Sequence, residues 1–168
     1  MPGAGDVPAD VAFVGIAPGR FGGDRTGVPF YGDRSGTILR AMIAAAGIDR
    51  VFITNLVRCN PRDAGGRNRD PDRAEIANCR SHLRAELALV QPIVVACLGR
   101  MAWRELGGDP ACFDPPRAEL HRVGDLTIYP MYHPAYIVRG AYSAADWARD
   151  FTRLRRLTAQ RHGGDSQG

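Results

Sequence analysis

Four short runs of apolar, largely β-branched residues recur along the chain, and each stops at glycine, proline or a polar residue. They are "VAFVGIA" (11–17), "VFITNLV" (51–57), "PIVVACLG" (92–99) and "LTIYPMYHP" (126–134). Runs of this length without polar alternation read as strands buried on both faces, the pattern of parallel strands. Helical spacing fills the intervals. "SGTILRAMIAAAG" (35–47) has Ser35 as a plausible N-cap and Gly47 as a plausible C-cap, and "DPDRAEIANCRSHLRAELALV" (70–90) is a long amphipathic helix opened by Asp-Pro. "RMAWREL" is a short helix, and "SAADWARDFTRLRRLTAQ" closes the chain. Strands alternating with helices predict an α/β fold, a three-layer sandwich around a four-stranded parallel sheet. With 168 residues this is one domain, over 11–160. The Gly/Pro-rich residues 1–10 are expected to be disordered or the remnant of a truncated segment, and 161–168 a flexible tail.

In such folds a ligand sits beyond the carboxyl ends of the strands. Those ends are "GIAPG", "TNLVRC", "LGR" and "YHPAY", so the chemically interesting stretches share one sheet edge. The first opens the loop "GIAPGRFGGDRTGVPFYGDRSG" (15–36), rich in glycine, charge and aromatic residues together. A linker would be poorer in aromatics and a core segment poorer in charge. The mixture suits a loop that brings its backbone close to a ligand and also grips it. It is neither a dinucleotide fingerprint nor a P-loop, since no Gly-Lys-Ser/Thr follows. Phe30 is either a stacking platform for a flat ring or a lid on the core. Asn55 ends a buried strand, where a polar group needs partners; its amide suits a nucleobase edge or its own loop. His133, before Pro134, would stabilise a developing anion, or serve structurally.

The net charge is +4 and every one of the 22 basic residues is arginine. A GC-rich genome would produce that total as readily as phosphate binding would. The clustering says more. "RCNPRDAGGRNRDPDR" (58–73) carries five arginines in a Gly/Pro/Asn loop, read either as a nucleic-acid backbone patch or as a solvated loop. No apolar run is long enough to cross a bilayer and no secretion signal opens the chain, so a cytoplasmic location is expected. The four cysteines, Cys59, Cys79, Cys97 and Cys112, form no CxxC pair, so zinc is poorly supported. Cys97 reads as core.

Taken in order, "GIAPG", "DRTGVPFYGDRSG", "LRAMIAAAGI", "FITNLVRCNP", "EIANCRSHLRAEL", "VVACLG" and "YHPAYIVR" resemble the uracil-DNA glycosylase superfamily, nearest its iron–sulfur type 4 and type 5 branches. The resemblance runs from Val11 to Arg139. The first motif and "GDRSG" look like type 5, while "HPAYIVR" looks like type 4 and the type 5 insertion before the second strand is missing. The branch stays open. Type 4 carries a glutamate where this chain has Ile16, and the better-known uracil enzymes an aspartate where it has Ala17, so the water-activating acid of those branches is absent.

The resemblance implies a base-excision enzyme that flips uracil, and other deaminated bases, out of single- or double-stranded DNA and hydrolyses the bond to the sugar. By resemblance Phe30 stacks on the base, Asn55 reads its edge, and the backbone at Gly15 and Ala17 contacts it. His133 faces the O2 side, and Asp24, or failing that Asp33, stabilises water or the sugar cation. Tyr136 or Ile137 wedges the base stack from the minor groove, Arg139 takes a phosphate, and Arg67 belongs to the DNA-binding patch. In these two branches four cysteines bind a [4Fe–4S] cluster. Cys59 and Cys79 match two of them; the other pair belongs to a CxxC ahead of the first strand that this sequence lacks. Either the cluster has been lost, or the chain as given starts too late, which "PGAGD" favours. A monomer is expected. The alternatives are a catalytically inactive DNA- or base-binding protein of the same fold, and a nucleoside hydrolase acting on small molecules.

Overall fold

The computed structural model describes residues 1–164. Each apolar run forms a strand, and two short strands join them. In chain order these are β1 (Ala4–Gly5), β2 (Val11–Gly15), β3 (Val51–Asn55), β4 (Val94–Leu98), β5 (His121–Val123) and β6 (Leu126–Met131). The sheet order is β1-β3-β2-β4-β6-β5. The four expected strands are parallel to one another, but the sheet has six strands, because β1 and β5 add antiparallel edges.

β1 corrects the expectation of disorder over residues 1–10. The Asp6 N–H donates to the Val51 carbonyl at 2.8 Å and the Gly3 N–H to Glu86 Oε1 at 2.9 Å. Gly5 has φ 139°, and a Cβ there would stand 2.1 Å from the Val51 oxygen. Glycine is what lets this segment cover the open edge of β3.

The helices are α1 (Gly23–Thr26), α2 (Arg34–Ala46), α3 (Arg73–Val90), α4 (Arg100–Glu105), α5 (Pro134–Val138) and α6 (Ala144–Gly164). Asp33, not Ser35, caps α2, its Oδ1 accepting from Gly36 N–H at 2.7 Å. Gly47 ends the helix in the left-handed conformation, as expected. A capping box between Asp72 and Glu75 opens α3. α6 continues past the expected start of the tail at residue 161; residues 165–168 lie outside the described part.

Alternation along the strands builds the two faces. Val11 and Phe13 of β2 and Ala96 and Leu98 of β4 face Leu39 and Ile43 of α2 and Trp147, Phe151 and Leu154 of α6. Ala12, Val14, Val95 and Cys97 face Leu83 and Leu87 of α3 and Trp103 of α4. Fully burying each large side chain contributes roughly 1.5–3 kcal/mol. Cys97 is core, and burial pushes its thiol well above the ordinary range. Among the described residues no helix is long and apolar enough to cross a membrane.

Candidate active site at the carboxyl edge of the sheet

A cavity of about 610 Å³ opens where β2, β3, β4 and β6 end. Ile16 and Ala17 follow β2, Asn55 closes β3, Gly99 follows β4, and His133 follows β6; all line it together with Phe30. The sheet edge expected to carry the chemistry therefore does bring its candidates together.

Gly15 contributes room at the site. Its carbonyl accepts from the Leu56 N–H at 2.9 Å. A Cβ on Gly15 would lie 2.5 Å from Asn55 Oδ1 and 2.5 Å from the Phe30 ring. The bare glycine is what allows that amide and that ring to approach each other. Asn55 is 6% exposed, and its Oδ1 has no hydrogen-bond partner. An unpartnered buried acceptor costs about 1–3 kcal/mol, which a ligand N–H would relieve.

Phe30 both lines the cavity and joins the core, so its two sequence readings are not exclusive. Its φ of 50° is left-handed, at a cost on the order of 1–3 kcal/mol for a non-glycine residue. The turn is held from outside. Arg40 donates to the Phe30 carbonyl through Nε and to the Pro29 carbonyl through Nη2, both at 2.9 Å. Gly36 packs so closely beneath that a Cβ there would stand 2.3 Å from the Phe30 oxygen.

His133 caps α5. Its Nδ1 accepts from the Ala135 N–H at 3.2 Å, so the proton of the neutral ring sits on Nε2. Its ring lies 5.7 Å from that of Phe30. Burial, reinforced by Arg139, lowers its pKa from 6.5 to about 4. The folded state thus prefers the neutral ring. This preference supports the fold fully above the unfolded pKa of 6.5 and is lost as pH falls toward 4. The site presents a neutral N–H donor throughout the physiological range.

The two carboxylates are placed differently. Asp24 pairs with Arg62 on the loop surface and is not among the residues lining the cavity. Asp33 does line it, but Oδ1 is taken by the α2 cap, and Gly19 and Gly22 pack against Oδ2. Neither stands as a free base.

α5 separates two neighbours that the sequence left equivalent. Tyr136 is 44% exposed and lines the cavity, whereas Ile137 is 8% exposed and packs into the core. Successive helical residues point about 100° apart, so only Tyr136 can reach out of the protein. Ile137 is held in the core, and Tyr136 is the exposed one of the pair. Arg139 also lines the cavity, its guanidinium 5.4 Å from the Tyr136 ring centre. Arg67 stands away at a loop tip, paired with Asp63.

Sequence reasoning missed several wall residues. Asn60 donates to the Pro18 carbonyl at 2.6 Å and to Asn68 Oδ1 at 2.9 Å, tying the glycine-rich loop to the arginine-rich one. Arg100 and Arg104, four apart on α4, also line the cavity. Their place immediately after the strand end at Gly99 was the available signal.

Cys59 and Cys79 share the wall of a second cavity of about 290 Å³, beside Glu75 and Asn78. Glu75 is engaged elsewhere: Arg69 and the Asp72 N–H hold its carboxyl down at about 2. Cys97 is sealed in the core and Cys112 is exposed on another turn. Among the described residues no group of three or more His, Cys, Asp or Glu stands close enough to hold a metal ion. A [4Fe–4S] cluster takes four cysteine ligands. The residues present do not fit it.

Comparison with known proteins agrees with this geometry. The family model described as the uracil DNA glycosylase superfamily matches residues 2–153. The chain is 31% identical to a type-4 uracil-DNA glycosylase of Archaeoglobus fulgidus, covering 96% of this chain and 83% of that one. It is 35% identical to a type-5 uracil-DNA glycosylase of Pyrobaculum aerophilum, covering 80% and 65%. A type-4 uracil-DNA glycosylase of Sulfurisphaera tokodaii is 31% identical, with 94% and 74% covered. Relatives of both types match, so the branch stays undivided. On the fold, the site and the extent of these matches, the chain belongs to the uracil-DNA glycosylase superfamily.

Proposed function

We propose that the protein is a base-excision repair glycosylase that removes uracil, and other deaminated bases, from DNA in the cytoplasm. The observation that carries this is the convergence of three groups on one cavity: the neutral His133 ring, the unpartnered Asn55 oxygen and the Phe30 ring. That set offers a flat heterocycle a stacking face, an acceptor for a ring N–H and a donor for a carbonyl oxygen.

In this reading the target base leaves the duplex and enters the cavity. Phe30 stacks on it, Ala17 lines its bed, and Asn55 Oδ1 accepts its N3–H. The bond between base N1 and sugar C1′ breaks with the electron pair going to the base, and negative charge gathers on O2. The His133 Nε2–H donates to that oxygen, an anion-stabilising role in which the histidine need not gain or lose a proton. Water adds its oxygen to C1′ and releases a proton, giving an abasic site and the free base. Ile16 stands where an acid would polarise that water, so the leaving base rather than the nucleophile receives the assistance. Type-4 and type-5 uracil-DNA glycosylases among the relatives support turnover over a purely binding role.

The test is base release from labelled duplexes containing U·G or hypoxanthine, with an undamaged duplex beside them. Abasic sites confined to the damaged duplexes are the expected result; none from any of them, with DNA still bound, would sink the proposal. The rate of release is expected to stay level as pH falls from 8 through 6.5 and to decline only toward 4, since His133 already carries its neutral ring. Single-turnover rates across that range read it out, and a midpoint near 6.5 would contradict it.

Arg67, with its side chain 83% exposed, belongs to the backbone-contacting surface in this reading. Arg67→Ala is expected to weaken binding to damaged and undamaged duplex alike and to reduce the salt slope by about 1. Fluorescence anisotropy at several salt concentrations measures it; an unchanged slope would remove Arg67 from the interface.

A further inference from the structure

The segment after His133 carries an aromatic chain that the cavity chemistry leaves unused. Tyr136 is 44% exposed, yet its ring is not loose. It lies on Tyr132, with ring centres 5.5 Å apart and planes 11° from parallel, and Arg139 stands over it. Tyr132 is braced in turn by Tyr142 at 4.6 Å and by Phe113 at 6.1 Å. The chain then enters the core. The Tyr142 hydroxyl donates to Asp150 Oδ2 at 3.0 Å, and Asp150 is 2% exposed on α6. Arg153 approaches the same carboxylate at 3.5 Å. The neighbours of Asp150 on α6, Trp147 and Phe151, are fully buried.

A continuous set of contacts therefore links the buried face of α6 to one exposed ring at the mouth of the cavity. Burying a carboxylate is costly unless it is well partnered. Burial raises the Asp150 carboxyl above the ordinary aspartate range. An exposed tyrosine with two free torsions would fold away when pressed against a base stack. One whose ring is stacked and anchored loses that freedom in advance, so less entropy is lost on insertion.

We propose that Tyr142 and Asp150 are positioning residues that, acting through Tyr132, hold Tyr136 rigid for insertion between stacked bases of a DNA duplex. This rests on the DNA reading above. Tyr142 and Asp150 lie outside the cavity wall and touch no reacting atom.

The experiment uses the full chain and a U·G duplex with 2-aminopurine beside the uracil, a probe that brightens when its neighbour unstacks. Binding of the unaltered protein is expected to raise the fluorescence, and Tyr136→Ala to abolish the rise. Tyr142→Phe keeps the ring but loses the bond to Asp150. It is expected to cut the rise severalfold while uracil release from single-stranded DNA stays within twofold. That single-strand rate also reports a folded site. Asp150→Asn leaves an acceptor oxygen for the Tyr142 hydroxyl and is expected to retain most of the rise. In a Tyr136→Ala background Tyr142→Phe is expected to add no further loss of duplex activity, the mark of one pathway. If Tyr142→Phe fails to fold, Tyr132→Leu, which removes the stacking face, is expected to give the same loss of signal. A full rise with Tyr142→Phe or Tyr132→Leu, additive losses in the double variant, or no rise with the unaltered protein would each overturn the inference. Unstacking without any uracil release would overturn the glycosylase reading instead and leave the positioning role standing.

Discussion

Replacing His133 with alanine is expected to slow base release about 10²–10³-fold, equivalent to roughly 2.7–4 kcal/mol of transition-state stabilisation. Three features place the largest loss here. The Nδ1 contact with the Ala135 N–H leaves the ring proton on Nε2. Burial holds the ring neutral, so a donor is supplied without an added charge that would have to be desolvated. Ile16 and Ala17, which line the wall, carry no carboxylate to share the work. The alanine variant also loses the α5 cap, worth about 1 kcal/mol, so its melting temperature should be recorded beside its rate. Single-turnover base release from a U·G duplex decides the matter. DNA binding should persist, because the phosphate contacts proposed for Arg67 and Arg139 do not involve the His133 side chain. A loss below about tenfold in a folded variant would mean that the leaving base is stabilised by another group.

Gly15→Ala is expected to be nearly as severe from a single methyl group. The added Cβ would meet Asn55 Oδ1 and the Phe30 ring at 2.5 Å, and both residues are buried. One or both must retreat by about 1 Å, and misplacement on that scale costs roughly 10²-fold in rate. Overpacking adds about 1–3 kcal/mol of destabilisation, a melting shift of several degrees for a chain of this size. The rate loss should appear on single-stranded and duplex substrates alike, since the defect lies in the base pocket and not in strand opening. That pattern distinguishes it from Tyr142→Phe. A Gly15→Ala protein with the unaltered rate would show that the pocket relaxes at no cost and that the glycine is incidental.

The candidate site was legible in the sequence where a local rule sufficed. Asn55 and His133 stood out because each is a polar residue ending a run that is otherwise apolar, and both prove to face the cavity. Gly15 was found as a glycine at a strand end, but its job is space, which depends on a side chain forty residues away. Asp24 was preferred to Asp33 on its motif position alone. The loop fold alone made one a surface ion pair and the other a helix cap. Tyr136 and Ile137 are neighbours whose sides are set by how a five-residue helix packs on α2 and the core, too short a stretch for periodicity to declare. Residues 1–10 read as disordered because glycine and proline weaken local structure. Pairing with β3 overrode that tendency, since an open sheet edge offers the hydrogen bonds that the segment cannot make alone.

The sequence by itself determined the order of strands and helices, the two-sided burial of the parallel strands, and the sheet edge at which the polar residues gather. These follow from the period of apolar residues and from turn and cap chemistry, all local in the chain. Only the tertiary structure decided which side chains meet: the Gly15–Phe30–Asn55 contact, the tie of Asn60 and Asn68 between two loops, the low pKa of His133 and the tyrosine chain down to Asp150. Each depends on burial or on partners distant in sequence, and no window along the chain contains both ends of such a contact.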